Sequence, residues 1–235
     1  MQDHLPENYL DSVNKNRDGR NDLGHNPEVL FQSFAFEKSI IRSLYKIPDF
    51  TTQKVLDVGC GEGGSLLNLI RLGFEPENLS GIDILSERIS KAQVKFPDIK
   101  FITGDAVNMP FPDNHYDMVM ESTMFIQLKN DELCRLIANE MIRVTNKDGF
   151  ILLIDWRYSK PWNKRYRGLS LKRVKILFGV GSVTKIITKK NGALVPPIGR
   201  FCSKYCSSLY FIIQSVFPFL AGQVTYLVQK NKLTS

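Results

Sequence analysis

Short apolar runs and amphipathic stretches alternate through the middle of the chain. Runs that end near Gly or Asp predict buried strands, whereas apolar residues repeated every three or four positions predict helices. The predicted strands are 54–58, 79–84, 100–103, 116–121 and 149–155, and the predicted helices between them are 64–72, 86–96 and 131–144. Alternation of this kind builds a parallel sheet with right-handed crossovers and helices on its faces.

The two ends of the chain follow other patterns. Residues 1–27 form a polar arm, and 28–46 carry apolar residues at helical spacing, which predicts a helix. After Asp155 the alternation stops: 169–178 predicts a short basic helix, 185–190 a strand or a loop, and 195–199, with two prolines, a break in regular structure. The stretch 210–229 holds no charged residue and contains a candidate last strand at 222–230.

Charge separates the last third of the chain from the rest. Residues 156–235 hold 15 Lys and Arg and no Asp or Glu, so all 24 acidic residues lie before them. Four cysteines are too few for a disulfide framework, and 1–20 has no apolar signal segment, so we expect a cytoplasmic protein with reduced thiols. Cys202 and Cys206 have no second Cys or His pair nearby, and no metal site is expected.

A glycine-rich loop follows the first predicted strand, in the run Asp57-Val58-Gly59-Cys60-Gly61-Glu62-Gly63-Gly64. Glycine lets the backbone turn tightly and approach a ligand, and the first turn of the next helix offers free N–H groups. In open parallel sheets, ligands bind at this end of the strands. The spacing also fits a dinucleotide pattern, but the carboxylates of Asp57 and Glu62 would oppose a pyrophosphate.

Three acids stand at or near the ends of the first three strands: Asp57, Asp83 and Asp105. S-adenosylmethionine carries an ammonium, a sulfonium, a ribose diol and an adenine amine, and each of these groups suits a carboxylate or a backbone acceptor. We expect Asp57 to face the amino-acid part and Asp83 the ribose hydroxyls. Asp105 would accept from the adenine amine, while the N–H of Ala106 donates to the ring.

Four ordered segments together resemble the class I S-adenosylmethionine-dependent methyltransferases: 55–63, the strand that ends at Asp83, 104–106 and 109–119. The resemblance implies an α/β fold with a doubly wound, mostly parallel seven-stranded sheet (a Rossmann-like methyltransferase fold) whose last strand is antiparallel, and a basic, partly helical C-terminal extension. It implies three regions: an N-terminal arm and lid helix over 1–46, a cofactor-binding core over 47–157, and a basic C-terminal region over 158–235 that completes the sheet and the acceptor site. It implies S-adenosyl-L-methionine as the cofactor, bound by Asp57, Gly59, Cys60, Gly61, Gly63, Asp83, Ile84, Asp105, Ala106 and Glu121.

Methyl transfer is an in-line displacement in which the cofactor supplies the activation and the protein chiefly aligns the reactants. A hydroxyl acceptor also needs a base, and the candidates are Glu121, Asp155 and His25. Glu121 and Asp155 end the fourth and fifth strands and should open toward the acceptor, whereas His25 belongs to an arm that could fold over the site. His115 lies at the other end of the sheet, and Cys60 is expected to act through its backbone.

The basic C-terminal region leaves three partners open: an anionic acceptor, an anionic membrane surface and nucleic acid. Solvated charges on a helical lid are the simplest alternative to all three. A membrane wedge would use the apolar residues Phe211, Ile212, Ile213, Val216, Phe217, Phe219 and Leu220. We expect a methyltransferase of a small molecule or sugar, such as a nucleotide- or lipid-linked glycan precursor, with peripheral attachment to the inner face of the membrane as an option. An RNA-modifying methyltransferase and a non-catalytic binding module are the alternatives.

Overall fold

The computed structural model describes residues 26–159 and 166–232 of the chain. In chain order its helices and strands are α1 (Leu30–Leu44), β1 (Val55–Val58), α2 (Gly64–Arg71), β2 (Leu79–Asp83), α3 (Ser86–Lys95), β3 (Lys100–Thr103), β4 (Tyr116–Ser122), α4 (Asp131–Val144), β5 (Thr145–Trp156), α5 (Leu171–Leu177), β6 (Thr184–Asn191), α6 (Pro196–Tyr205), α7 (Tyr210–Val216) and β7 (Gln223–Lys230). A short 3₁₀ turn, Phe125–Gln127, follows β4. The strand and helix alternation expected for the middle of the chain is therefore confirmed.

Seven strands form one sheet in the order β3-β2-β1-β4-β5-β7-β6. Four parallel pairings join the five strands from β3 to β5. The last strand, β7, is antiparallel to β5. Its end lies beside the start of β5, where the Lys230 ammonium donates to the carbonyl oxygen of Thr145 at 2.7 Å. The sheet is therefore mixed, which corrects the prediction of a mostly parallel sheet: that description covers only the five strands from β3 to β5.

The central strands are buried on both faces, including their few polar residues. Every residue of β1 and of β2 is buried, as expected for parallel strands with helices on either side. On α4, Cys134, Ile137 and Met141 pack into the main core, and Asn130 caps the helix by accepting from two backbone N–H groups. This core fixes the ends of the strands, and with them the loops that follow.

The chain divides into two compact units. The larger contains 40–190 and the residues from 224 onward, and it holds nearly all of the sheet. The smaller contains the residues up to 39 together with 191–223. It has a core of its own around Ala35, Leu194, Cys202 and Tyr210, in which the Tyr210 hydroxyl accepts a hydrogen bond from the Leu194 N–H at 3.0 Å.

Two expectations for the C-terminal region needed the structure to resolve them. The break predicted at 195–199 is wrong, because α6 begins at Pro196 with prolines in its first turn. Proline is favoured there, since the first helical N–H groups have no partner within the helix and the ring presets φ. The segment 185–190, left open as strand or loop, belongs to β6. In the described ranges, no helix is both long and apolar enough to cross a membrane.

Candidate functional site

The turn between β1 and α2 requires glycine at three positions. Gly59, Gly61 and Gly63 have φ angles of 74°, 55° and 81°, where an L side chain is strained. Space is short as well, because a Cβ on Gly59 would lie 2.9 Å from the Met124 sulfur and one on Gly63 would lie 2.9 Å from the Phe101 ring. The glycines therefore let the backbone pass close to its neighbours.

Asp57 is the most unusual group at this edge of the sheet. It lies on β1, is 1% exposed, and neither of its carboxylate oxygens has a hydrogen-bond partner in the described part of the chain. Burial raises the pKa of Asp57 well above its ordinary value, and the nearby charge of Asp83 raises it further. A buried carboxylate without a partner is costly, so this position fits a ligand that brings a cation or hydrogen-bond donors.

Asp83 ends β2 and ties the glycine turn to the neighbouring strand. One of its oxygens accepts from the Gly61 N–H at 2.8 Å, and the other accepts from the Leu85 N–H at 3.0 Å. The Arg88 guanidinium of α3 lies 4.0 Å away and would be 3.1 Å from a Cβ on Gly61. The carboxylate keeps free lone pairs toward the turn, and the half-buried Ile84 follows it at the sheet edge.

Asp105 and Ala106 follow β3, the third neighbouring strand. Both residues are half-buried. One oxygen of the Asp105 carboxylate accepts from the Val107 N–H at 3.1 Å, in a turn of the side chain onto its own backbone. The backbone N–H of Gly104 donates to the Asp83 carbonyl at 3.0 Å. The three predicted acids therefore stand at one edge of the sheet, on adjacent parallel strands.

Cys60 is held by its backbone and packed by its side chain. Its N–H donates to the carbonyl of Ile82 at 3.1 Å, and its sulfur would be 2.7 Å from a Cβ on Gly81. Burial raises the pKa of the Cys60 thiol, which keeps the nucleophilic thiolate scarce. The side chain therefore fills space beneath the turn and is unsuited to nucleophilic chemistry.

The carboxyl groups of Glu121 and Asp155 are buried, whereas an open orientation was expected; their catalytic roles stay predictions. Both residues are 0% exposed. Glu121 accepts from the N–H groups of Met124 at 2.9 Å and Ile154 at 3.1 Å. Burial raises the pKa of both carboxyl groups, and the charge of Asp155 raises that of Glu121 further.

Asp155 and Arg173 hold the loop that follows β4. Asp155 accepts from the Ile126 N–H at 2.8 Å, within the 3₁₀ turn of that loop. The Arg173 side chain, 8% exposed, donates to the carbonyl oxygens of Phe125 and Leu128 at 3.3 and 2.9 Å. The two side chains therefore hold a backbone N–H group and two carbonyl oxygens of this loop.

The opposite end of the sheet carries His115, as expected. His115 and Asp117 stand at the amino end of β4, where Asp117 accepts from the Lys54 N–H at 2.9 Å and the His115 Nε2 lies 2.7 Å from the Lys54 ammonium. A hollow of about 430 Å³ opens at the same edge, away from the glycine turn. His25 lies outside the described residues. Within the described ranges, no group of three His, Cys, Asp or Glu residues is arranged to hold a metal ion.

Three residues near the carboxyl ends of the strands were not predicted from the sequence. Arg88 and Arg173 each lie on a short helix with two lysines, and nothing in their sequence spacing distinguishes them from those lysines. Tyr226 is buried on β7, and its hydroxyl has no hydrogen-bond partner in the described part of the chain. Burial raises the pKa of Tyr226 to about 12. The sequence did not indicate that this residue lies next to β5, and only the strand order of the structure shows it.

Comparison with known proteins agrees with this geometry. Residues 55–149 match a family model described as a methyltransferase domain. A demethylmenaquinone methyltransferase from Paenarthrobacter aurescens is 35% identical over 50% of this chain, which spans only 43% of that relative. A ubiquinone/menaquinone biosynthesis C-methyltransferase from Campylobacter jejuni is 26% identical, over 81% of this chain and 73% of the relative.

A solved structure extends the likeness of the fold to almost the whole chain. The magnesium protoporphyrin IX methyltransferase of Synechocystis PCC 6803, crystallised with bound SAH, superposes with a TM-score of 0.63 over 98% of this chain and 97% of its own, at 15% identity. At that identity the match describes the fold alone. Residues 55–149 are thus similar to methyltransferase domains, and almost the whole chain shares its fold with a solved methyltransferase structure.

Proposed function

We propose that this protein is an S-adenosylmethionine-dependent methyltransferase that acts on a small molecule. The observation that carries the proposal is the Asp57 carboxylate, buried beside the glycine turn with neither oxygen hydrogen-bonded in the described part of the chain. A protein gains nothing in stability from such a group. A cationic ligand gains a great deal from it, because an opposite charge favours the ionised carboxylate.

The cofactor would lie across the ends of β1, β2 and β3. Asp57 balances the ammonium of its amino-acid part, and the turn at Gly59, Gly61 and Gly63 lets the backbone approach it. Asp83 accepts from the ribose hydroxyls with the lone pairs that its backbone donors leave free. Asp105 and the Ala106 N–H receive the adenine, with Ile84 beside it.

Catalysis by this chain is mainly positioning. When bound, S-adenosylmethionine supplies a methyl group made electrophilic by its sulfonium. Glu121 and Asp155 act as positioning residues, because each uses its carboxylate to hold backbone N–H groups at 2.9 Å and 2.8 Å in the loop 123–127. Holding that loop beside Gly59 shapes the space in which an acceptor meets the methyl group, and such alignment can lower a barrier by about 7–11 kcal/mol.

The acceptor that we favour is an apolar molecule with a ring. Two relatives by sequence are named for demethylmenaquinone and for ubiquinone and menaquinone biosynthesis. A sugar or glycan acceptor has no such support from named relatives, and it remains the alternative that the experiment must separate. RNA methylation and a non-catalytic binding role are the other two alternatives.

Two measurements test the proposal. Calorimetric titration with S-adenosylhomocysteine should show binding by the wild type and a loss of at least about tenfold in Asp83→Ala, equivalent to about 1.4 kcal/mol, while the exposed-site control Asp98→Ala binds normally. Transfer of a labelled methyl group is then screened over hydroquinones, fatty acids, nucleotide sugars and RNA. Binding without transfer to any acceptor would favour a binding module, and transfer to nucleotide sugars or RNA would refute the apolar acceptor.

A further inference from the structure

The helix α7 buries a polar residue, Gln214, and exposes two apolar residues, Ile212 and Val216. Tyr210 is fully buried and Gln214, four residues later, is 8% exposed. The Gln214 amide donates to the carbonyl oxygen of Gly192, so its burial is satisfied. On the opposite side, Ile212 and Val216 are 55% and 61% exposed. A helix on a water-facing surface has the reverse arrangement.

The apolar surface continues on both sides of α7. Seven of the sixteen large apolar side chains that are exposed in the described residues fall between 201 and 219. On α6, the Phe201 and Tyr205 rings stand 5.2 Å apart and are 60% and 68% exposed. After α7, Phe217 and Phe219 pack edge to face at 6.0 Å and are 45% and 62% exposed. Such a concentration of exposed rings indicates an interaction surface.

Lysine side chains lie against two aromatic rings of this region. Residues 191–223 contain no Asp or Glu. The Lys204 ammonium lies 5.3 Å from the centroid of the Tyr205 ring, and the Lys38 ammonium lies 4.6 Å from that of Phe211. Lysines that extend along aromatic rings with their charge in water are typical of the boundary between lipid headgroups and acyl chains.

We propose that the segment 201–219 docks on the surface of an anionic lipid bilayer. Its exposed rings and aliphatic side chains enter the boundary of the acyl chains, and Lys204 and Lys38 remain among the headgroup phosphates. Charge complementarity selects this occupant, because a cationic rim suits an anionic bilayer. The inference concerns a surface and not the glycine turn, so it stands whether or not the chain transfers methyl groups.

Flotation of the full chain with vesicles tests the docking without cofactor or acceptor. The wild type should float with vesicles of phosphatidylcholine and phosphatidylglycerol and bind pure phosphatidylcholine far more weakly. Phe217→Ser/Phe219→Ser should reduce binding roughly tenfold or more. The matched control Val94→Ser/Ile176→Ser removes two side chains of similar exposure, 84% and 57%, and should bind like the wild type.

A second pair of variants tests the charge. Lys204→Gln should weaken binding to the anionic vesicles about fivefold, which corresponds to about 1 kcal/mol, whereas Lys46→Gln should not. Equal binding by all variants, or no binding by the folded wild type, would overturn the proposal. So would light scattering that shows a dimer which Phe217→Ser/Phe219→Ser converts to a monomer, because a second copy would then cover the segment.

Discussion

Replacing Asp57 by Asn should stabilise the protein without its cofactor and weaken cofactor binding. The buried carboxylate has no hydrogen-bond partner in the described part of the chain, and burial holds its pKa well above the ordinary value. In the unfolded chain the same group titrates near pH 3.9. The folded protein therefore binds a proton that the unfolded chain has already released, and its stability falls as the pH rises between these two values.

The size of the expected stability gain follows from the difference between the pKa values of Asp57 in the folded and unfolded chain. Each unit of separation between the two pKa values lowers the stability above the folded pKa by about 1.4 kcal/mol. A neutral Asn of the same shape removes this cost, so at pH 8 the variant should gain about 1–3 kcal/mol, on the scale of an unsatisfied buried group. At roughly 2–4 °C per kcal/mol for a chain of this size, the melting temperature should rise measurably. Near pH 4 the gain should vanish, because wild-type Asp57 is then protonated in the folded state.

Thermal unfolding at pH 4 and pH 8, with and without S-adenosylhomocysteine, measures both effects. The variant should melt higher than the wild type only at pH 8 and only without ligand, and its affinity for the ligand should fall about tenfold or more. The exposed Asp98 provides the control, since Asp98→Asn removes one negative charge without changing a buried group. A lower melting temperature for Asp57→Asn at pH 8 would mean that the carboxylate is stabilised in the folded protein, and unchanged ligand affinity would remove Asp57 from the cofactor site.

Three further substitutions test the turn, the loop and β7. Gly63→Ala should destabilise the fold by about 1–2 kcal/mol or more, because φ is 81°, whereas Gly64→Ala, with no atom within 4 Å of its Cβ, should be neutral or stabilising in denaturant melts. Arg173→Met should lower the free energy of unfolding by about 3 kcal/mol or more and should reduce activity beyond the loss of folded protein. Lys172→Met, at an exposed neighbour, should lower the free energy of unfolding only slightly. Equal losses of stability in the two variants would refute the role of Arg173 in the loop. Tyr226→Phe should leave stability unchanged or raise it, because the lost hydroxyl has no partner in the described part of the chain; a loss above about 1 kcal/mol would show that the hydroxyl is hydrogen-bonded.

The central strands and the glycine turn were predictable because their signals are local. A short apolar run that ends at Asp or Gly marks a buried strand, and a turn that needs positive φ shows its glycines in the sequence. The span of α4 was predicted correctly, and β2 ends at Asp83, one residue before the predicted bound. The roles of these residues toward a cofactor remain predictions until ligand binding is measured.

The C-terminal strands and helices were less predictable because they depend on distant partners. β6 is an edge strand in which buried and exposed residues alternate only partly, and its lysines give it no distinct apolar run. The start of α6 at Pro196 was missed because two adjacent prolines favour both a break and the first turn of a helix. Only the packing of Cys202 and Tyr210 into the smaller core decides between the two.

The acids at the strand ends show that position in the sheet does not by itself decide whether a carboxylate binds a ligand. Asp57, Glu121 and Asp155 are all buried on neighbouring strands of the sheet, and burial raises the pKa of each. They differ in their donors: Glu121 and Asp155 each accept two backbone N–H groups, whereas Asp57 accepts none. Those two carboxylates, like that of Asp83, are stabilised by backbone donors before any ligand binds, so only their remaining lone pairs are open to a ligand. The carboxylate without a donor is the one whose free energy a cation can lower, and for that reason Asp57 is the acid that we assign to the ligand.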